Sequence, residues 1–268
     1  MVEGGPVKFN KNSSSAKPVA MILCGDGINC ERETAAAFEA AGFVTITTHV
    51  NELVARPRSL SGVQALALPG GFSFGDELGS GQILAAKLRK AAGDELHDFV
   101  ARRRPVIGIC NGFQALVKLG LLPWPEIADQ PDGQETPRHR VALAHNASGQ
   151  FINRWVEVDF PDSVCVWTRG LSATSFPVRH GEGRVFAGDS AGVLSRLREH
   201  KQIALQYRED FNGSLDRIAG LCDPTGVVFG LMPHPEAALA DWLHPTRAPG
   251  SARGLEIFNN ARRYLDEL

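Results

Sequence analysis

Apolar segments alternate with amphipathic segments over the first half of the chain. Apolar or β-branched runs over 19–24, 43–49 and 63–68 predict strands, and apolar residues at helical spacing over 30–41 and 81–103 predict helices between them. Strands that alternate with helices are joined by right-handed crossovers into a parallel sheet with helices on both faces. The first half therefore predicts an α/β fold.

A fourth apolar run begins at Pro105 and ends in the segment 108–112, Gly-Ile-Cys-Asn-Gly, after which the helical spacing resumes. Small residues two positions either side of Cys110 permit the sharp strand-to-helix turn of a nucleophile elbow. The N–H groups at a helix start favour a thiolate there. A buried structural cysteine fits the same residues, because free cysteine is among the most buried residue types.

The second half of the chain changes character. Residues 122–140 hold four prolines and many polar groups, which predicts a surface insertion in an elaborated region over about 122–154. Beyond it the pattern is β-rich and predicts a smaller antiparallel extension of the mostly parallel sheet. The predicted strands are 155–160, 177–180, 202–207, 217–222 and 227–232. A closing helix is predicted over 251–268.

Composition limits the classes of protein that fit this pattern. The 268 residues can bury a substantial core, and a formal net charge of -2 gives no general attraction to nucleic acid or to an anionic membrane. The five cysteines lack scaffold or metal-site spacing, which is typical of a reducing compartment, so we expect a cytoplasmic protein without a metal. Residues 1–17 are polar and predict a flexible tail before one domain over 18–268.

A nucleophilic cysteine needs a base, and the base needs an orienting group. The segment 233–236, Pro-His-Pro-Glu, follows the last predicted strand. In an extended segment, His234 and Glu236 point to the same side, so the carboxylate can hold the imidazole. With Cys110 they form a candidate triad. The alternative is a rigid surface turn with an ordinary exposed histidine.

Attack on a carbonyl also needs donors that stabilise the oxyanion. The loop Gly70-Gly71-Phe72 follows a predicted strand and can offer backbone N–H groups, as can Asn111 directly after the nucleophile. The carboxyl ends of parallel strands meet at one edge of the sheet, so these loops are expected to lie together. Each glycine-rich loop on its own is equally consistent with a turn that only ends a strand.

Two further residues allow a functional and a structural interpretation. His180, in the segment 180–183 (His-Gly-Glu-Gly), can lie near the pocket or in a glycine-flanked hairpin. Gln114, one helical turn beyond Cys110, can hydrogen-bond a substrate amide or cap its neighbours.

Four segments together resemble the class I, or triad, glutamine amidotransferase family: 69–76, 108–114, 180–183 and 233–236. The Gly-Gly-Phe-Ser loop and Asn111 narrow the resemblance to the branch of glutaminase subunits of phosphoribosylformylglycinamidine synthase. Relatives that serve GMP, CTP or anthranilate synthesis usually carry other residues there. The resemblance runs from about Val19 to the C-terminus and implies the class I glutaminase fold.

The resemblance also implies roles for the site residues. Cys110 would attack the side-chain amide of L-glutamine, His234 would move the proton and Glu236 would orient His234. The N–H groups of Gly71 and Asn111 would hold the oxyanion, and water would release glutamate from a γ-glutamyl thioester. The same resemblance suggests substrate-binding roles for Gly70, Phe72, Gln114 and His180.

The ammonia would pass to a separate synthetase that converts formylglycinamide ribonucleotide to its amidine in de novo purine synthesis. The chain has no P-loop, so we expect no cofactor here, and ATP and Mg²⁺ on the synthetase. A small third subunit is a further candidate partner. The chain departs from the branch at Gly79, where many standalone subunits carry Arg, and at Ala237, where Arg is frequent. Both positions bear on the contact with the synthetase.

Three other functions remain open at this stage. A cysteine hydrolase or peptidase of the same architecture would cleave small peptides alone, although the Gly-Gly-Phe-Ser loop counts against it. A non-enzymatic regulatory subunit would keep the fold without the chemistry, and the intact Cys, His and Glu set argues against that. An amidotransferase subunit of another pathway would share the triad but not the partner.

Overall fold

The computed structural model describes residues 17–124 and 141–268. These residues form a nine-stranded sheet and a separate two-stranded sheet. The strands are β1 (Val19–Cys24), β2 (Val44–His49), β3 (Ala65–Leu68), β4 (Val106–Ile109), β5 (Val141–His145), β6 (Ile152–Asp159), β7 (Thr174–His180), β8 (Glu182–Ala187), β9 (Ile203–Tyr207), β10 (Ile218–Cys222) and β11 (Val228–Leu231).

Helices form the layers that cover this sheet. They are α1 (Glu31–Ala40), α2 (Val50–Ala55), α3 (Gln82–Ala101), α4 (Asn111–Leu119), α5 (Ser190–Glu199) and α6 (Leu255–Glu267). Helix α3 packs on α2 and α4, whereas α1 packs on α6. In the described part of the chain, no helix combines the length and apolar character needed to span a bilayer.

The order of the large sheet is β2-β1-β3-β4-β11-β10-β9-β6-β7. The first five strands pair in parallel, and the pairs from β11 to β7 are antiparallel. The predicted α/β fold, a mostly parallel sheet with an antiparallel extension, is thus confirmed. Every residue of β3, β4 and β11 is buried, which explains why these strands read as continuous apolar runs.

Strand β4 lies between β3 and β11, with Ile109 opposite Leu231. Because both strands run in the same direction, the residues that follow them emerge at the same edge of the sheet. This register places Cys110 beside the segment that begins at Met232, although more than a hundred residues separate them in the chain.

Four short elements were not predicted, namely α2, α5, β5 and β8. Helix α5 begins with an N-cap, since the Asp189 carboxylate accepts a hydrogen bond from the Gly192 N–H at 3.0 Å, and it buries Val193 and Leu197 four residues apart. Gly192 and Ser195 lower the helix propensity of this segment. The tertiary contacts therefore decide its structure.

The glycine-flanked hairpin considered for 180–183 does not form. Strand β7 pairs with β6, whereas β8 pairs with β5 in the two-stranded sheet, so the chain passes from one sheet to the other at Gly181. A glycine tolerates that abrupt change of direction.

Two predictions fall mostly outside the described residues. Only Lys17 of the expected tail over 1–17 is described, and only 122–124 of the expected insertion over 122–140. From the wider region up to about residue 154, the structure describes β5 and the first residues of β6.

Candidate active site

Cys110 stands at the corner between β4 and α4, with φ 52° and ψ −106°. A non-glycine residue at positive φ is strained, and such strain is a feature of the nucleophile elbow. The N–H of Cys110 donates to the Leu231 carbonyl at 2.7 Å, which ties the corner to the end of β11. The side chain is only 5% exposed, so the thiol faces a narrow space instead of bulk water.

The glycines on both sides of the elbow are required by close packing. A Cβ on Gly112 would lie 1.8 Å from the Leu68 carbonyl oxygen, and one on Gly108 would lie 2.5 Å from Leu116 Cδ1. The small residues therefore let α4 lie directly against the ends of β3 and β4. This agrees with the sharp turn that the sequence predicts.

His234 and Glu236 form a buried pair beyond β11. The distance from His234 Nδ1 to Glu236 Oε1 is 2.6 Å, and both residues are 2% exposed. The prediction of an extended segment is wrong, because Pro235–Ala237 forms a 3₁₀ turn. The turn still brings the carboxylate back to the ring, since the Pro235 ring fixes φ at a helical value.

The Glu236 contact governs the proton on His234. Burial opposes protonation, but the Glu236 charge and the thiols of Cys110 and Cys30 favour it and together raise the pKa of His234 well above its ordinary value. Glu236 occupies Nδ1, and His234 Nε2 is buried without a hydrogen-bond partner in the described residues. The free nitrogen is the one available to Cys110.

A cavity of about 140 Å³ is lined by both Cys110 and His234. Its lining consists of Asn29, Cys30, Gly71, Phe72, Cys110, Phe151, Asn153, Arg179 and His234. The rings of Phe72 and Phe151 lie 6.2 Å apart, and both are about half exposed, so they flank the opening.

The backbone N–H groups of Gly71 and Asn111 have no hydrogen-bond acceptor among the described residues. Gly71 has φ 146°, and a Cβ there would lie 2.4 Å from the Gly27 carbonyl oxygen, so only glycine fits. The Asn111 side chain joins this loop to the elbow, because its Oδ1 accepts from the Ser73 N–H at 3.2 Å. Both free donors thus belong to one rigid unit.

The other predicted substrate-binding residues differ in position. Gly70 lies under the His234 ring, where a Cβ would meet Cε1 at 2.8 Å. Gln114 does not line the cavity: its Oε1 accepts from Asn111 at 3.1 Å and its Nε2 donates to the Glu182 carbonyl at 2.6 Å. Its amide is engaged within the protein, in line with the structural interpretation of this residue.

His180 is buried behind the cavity and does not line it. Its Nδ1 donates to Asn146 Oδ1 at 3.1 Å, and Asn146 Nδ2 donates back to the His180 carbonyl at 2.8 Å. Burial, with a smaller contribution from the charge of His234, lowers the pKa of His180 to about 4. His180 is therefore neutral at physiological pH.

Several cavity residues were not predicted as site residues, including Arg179, Asn153 and Cys30. Cys30 follows the loop after β1, which ends at the same edge of the sheet, and Arg179 directly precedes His180. The strand-end position of each was visible in the sequence, but the direction of its side chain was not.

Comparison with known proteins adds independent evidence. Residues 17–265 match the model of the CobB/CobQ-like glutamine amidotransferase domain. The chain is 38% identical to phosphoribosylformylglycinamidine synthase subunit PurQ of Methanococcus maripaludis, over 93% of this chain and 98% of the relative, and 40% identical to the PurQ subunit of Dehalococcoides mccartyi, over 94% and 100%.

Among solved structures, a chain of PurLQS from Thermotoga maritima superposes with a TM-score of 0.73 at 31% identity, covering 93% of this chain and 100% of that one. The match of the family model over nearly the whole chain, together with relatives of this identity, is decisive. The chain belongs to the CobB/CobQ-like glutamine amidotransferase family.

Proposed function

We propose that this chain is the glutaminase subunit of a phosphoribosylformylglycinamidine synthase and that Cys110, His234 and Glu236 are its catalytic triad. One observation carries the proposal: a strained, buried thiol shares a small cavity with the base of a buried His–Glu pair and with a free N–H of the Gly71 loop. The names of the PurQ relatives supply the identity of the synthase.

The chemistry follows from these positions. Cys110 Sγ attacks the side-chain carbonyl carbon of glutamine, and the carbonyl oxygen becomes an oxyanion that accepts hydrogen bonds from the Gly71 and Asn111 N–H groups. His234 Nε2 accepts the proton of the Cys110 thiol and donates it to the amide nitrogen, which leaves as ammonia when the C–N bond breaks, while Glu236 holds the ring through Nδ1. Water, activated by His234, then attacks the γ-glutamyl thioester and releases glutamate.

The cavity supports a small substrate. Its volume of about 140 Å³ is well below the roughly 300–1,000 Å³ of sites for drug-sized ligands, and it suits an amino acid better than a peptide. Gly70, Gly71 and Phe72 form one side of the site. Arg179, which has no ion-pair partner in the described residues, is a cation suited to the α-carboxylate of glutamine.

The remaining steps belong to the partner. We propose that ammonia passes to a synthetase subunit that holds ATP and Mg²⁺, with a small third subunit as a further candidate partner, and that this chain needs no cofactor. The five free cysteines of the described residues suit a reducing compartment, and we propose the cytoplasm. The domain would extend over 18–268.

A covalent label tests the proposal. 6-Diazo-5-oxo-norleucine, incubated with the complex of this chain and its synthetase, should add one equivalent to Cys110, as located by peptide mass spectrometry. Cys110→Ala should lose both the adduct and ammonia release, whereas Cys24→Ala, outside the cavity, should keep both. An unlabelled Cys110, or ammonia release that survives Cys110→Ala, would contradict the proposed nucleophile.

A further inference from the structure

Cys30 is a second thiol in the cavity, and the proposed mechanism does not use it. It lies directly before α1, is half-buried, and lines the cavity together with Cys110 and His234. Its Sγ donates to Asn29 Oδ1 at 3.3 Å. A nucleophile and a base need no second sulfur, so this thiol is available to another ligand.

The two thiols and the imidazole meet around Gly70. A Cβ built on Gly70 would lie 2.8 Å from His234 Cε1, 3.4 Å from Cys30 Sγ and 3.5 Å from Cys110 Cβ. Gly70 has no such atom, so these three side chains lie close around its bare backbone.

One thiol, the imidazole and the Glu236 carboxylate form a cluster of the kind that holds a metal ion. Cys30 Sγ, a ring nitrogen of His234 and a carboxylate oxygen of Glu236 all lie within 4.8 Å of one another. His234 Nε2 also faces this cluster without a partner, because it is buried and no described residue meets hydrogen-bond geometry with it. Glu236 already binds Nδ1, so Nε2 remains free for a ligand.

We propose that this cavity is a binding site for a zinc-class divalent cation, held by Cys30 Sγ and His234 Nε2 and by Cys110 Sγ, which leaves its 3.8 Å contact with the Arg179 carbonyl oxygen to bind the ion. Two thiolates and one imidazole, with water in the fourth position, are an established zinc ligand set. Glu236 acts behind the histidine as the carboxylate that orients a metal-ligating ring. The ion occupies the glutamine site, so it competes with the substrate.

Binding of the ion releases protons. Each thiol must lose its proton to become a ligand, and so must His234 Nε2 when the ring is protonated. The affinity for zinc therefore rises with pH. The competition with glutamine depends on the proposed function, whereas the metal site itself does not.

Zinc binding is measured directly on the reduced chain by competition with a chromophoric chelator. The unmodified chain should bind one equivalent, and Cys30→Ser should bind about 100-fold more weakly or worse, because even a residue outside the ligand shell can cost that much. Cys24→Ser is the matched control, since Cys24 does not line the cavity, and should bind like the unmodified chain. Melting curves without metal check that each variant is folded.

Cobalt gives a second readout that does not need activity. Co²⁺ bound to the unmodified chain should show thiolate-to-cobalt absorption in the near ultraviolet, reduced in Cys30→Ser and absent after labelling of Cys110. Equal zinc affinity in Cys30→Ser and the unmodified chain, or no stoichiometric binding, would overturn the proposal. A chain that binds zinc but releases no ammonia from glutamine would instead contradict the proposed function alone.

Discussion

Cys110 holds a backbone conformation that costs about 1–3 kcal/mol for a residue with a side chain. The folded chain maintains it through the Leu231 hydrogen bond and the packing of α4 on the strand ends. The consequence is a thiol fixed toward the cavity before any substrate arrives.

Glu236 controls the proton of His234, and its neutral isostere should show this. In Glu236→Gln the charge that raises the pKa of His234 is lost while the burial that lowers it remains, so the pKa falls. The amide can also hold the wrong tautomer. We expect kcat for glutamine hydrolysis in the complex to drop about 10²- to 10⁴-fold.

Steady-state ammonia release as a function of pH measures this effect. The exposed Glu267→Gln variant is the matched control and should leave the profile unchanged. An unaltered kcat and pH profile in Glu236→Gln would show that the carboxylate does not orient the base.

His180 makes the fold sensitive to acid. Its pKa is about 4 in the folded chain and about 6.5 in the unfolded one, so the unfolded chain binds more protons between these values and stability falls as the pH falls through this window. The full effect is about 3 kcal/mol. We expect His180→Gln to abolish this part of the acid destabilisation.

Urea unfolding at pH 7.5 and pH 4.5 tests this expectation. The loss of unfolding free energy between the two pH values should be about 2–3 kcal/mol smaller in His180→Gln than in the unmodified chain. His200→Gln, at an exposed position, serves as the control. If all three chains lose the same stability, the buried neutral histidine is not the cause.

At the scale of elements, the site depends on how closely α4 approaches β3. Gly112→Ala places a methyl group 1.8 Å from the Leu68 carbonyl oxygen, which α4 can avoid only by moving away. We expect a loss of about 2–4 kcal/mol of unfolding free energy and a displaced Cys110.

Gly93→Ala is the matched control for this variant. Gly93 lies within α3 and has no atom within 4 Å of an added Cβ, so alanine should stabilise the chain by up to about 1 kcal/mol. Urea unfolding of both variants measures the difference. A Gly112→Ala chain as stable as the Gly93→Ala chain would refute the close-packing argument.

The two departures from the branch also act at this scale. Gly79 has φ 101°, a conformation that a side chain rarely adopts, and a Cβ there would lie 3.4 Å from Lys118 Nζ. The loop between β3 and α3 is therefore shaped around a glycine. Ala237 ends the short turn that carries Glu236.

For the whole molecule, we expect the glutaminase reaction to depend on the partner. The cavity is small and flanked by two half-exposed phenylalanines, and such sites often reach their catalytic arrangement only on closure. Ammonia release should therefore be slow for the isolated chain and rise when the synthetase is added. Equal rates with and without the synthetase, measured at saturating glutamine, would contradict this.

The sequence by itself determined the fold class, the elbow at Cys110 and the candidate triad. These features depend on local rules: buried strands read as apolar runs, tight corners need glycine, and parallel strands end at the same edge. The same rules missed α5 and the departure of β8 into a second sheet, because those elements depend on contacts between distant segments.

Only the tertiary structure decided which side chains share the cavity. Gln114, four residues after Cys110, and His180, in a glycine-flanked motif, form hydrogen bonds within the protein, whereas Cys30 and Arg179 line the cavity. The direction of a side chain depends on the packing of elements far apart in the chain, so a local sequence pattern does not predict it. For that reason, the zinc ligands proposed here had no recognisable spacing in the sequence.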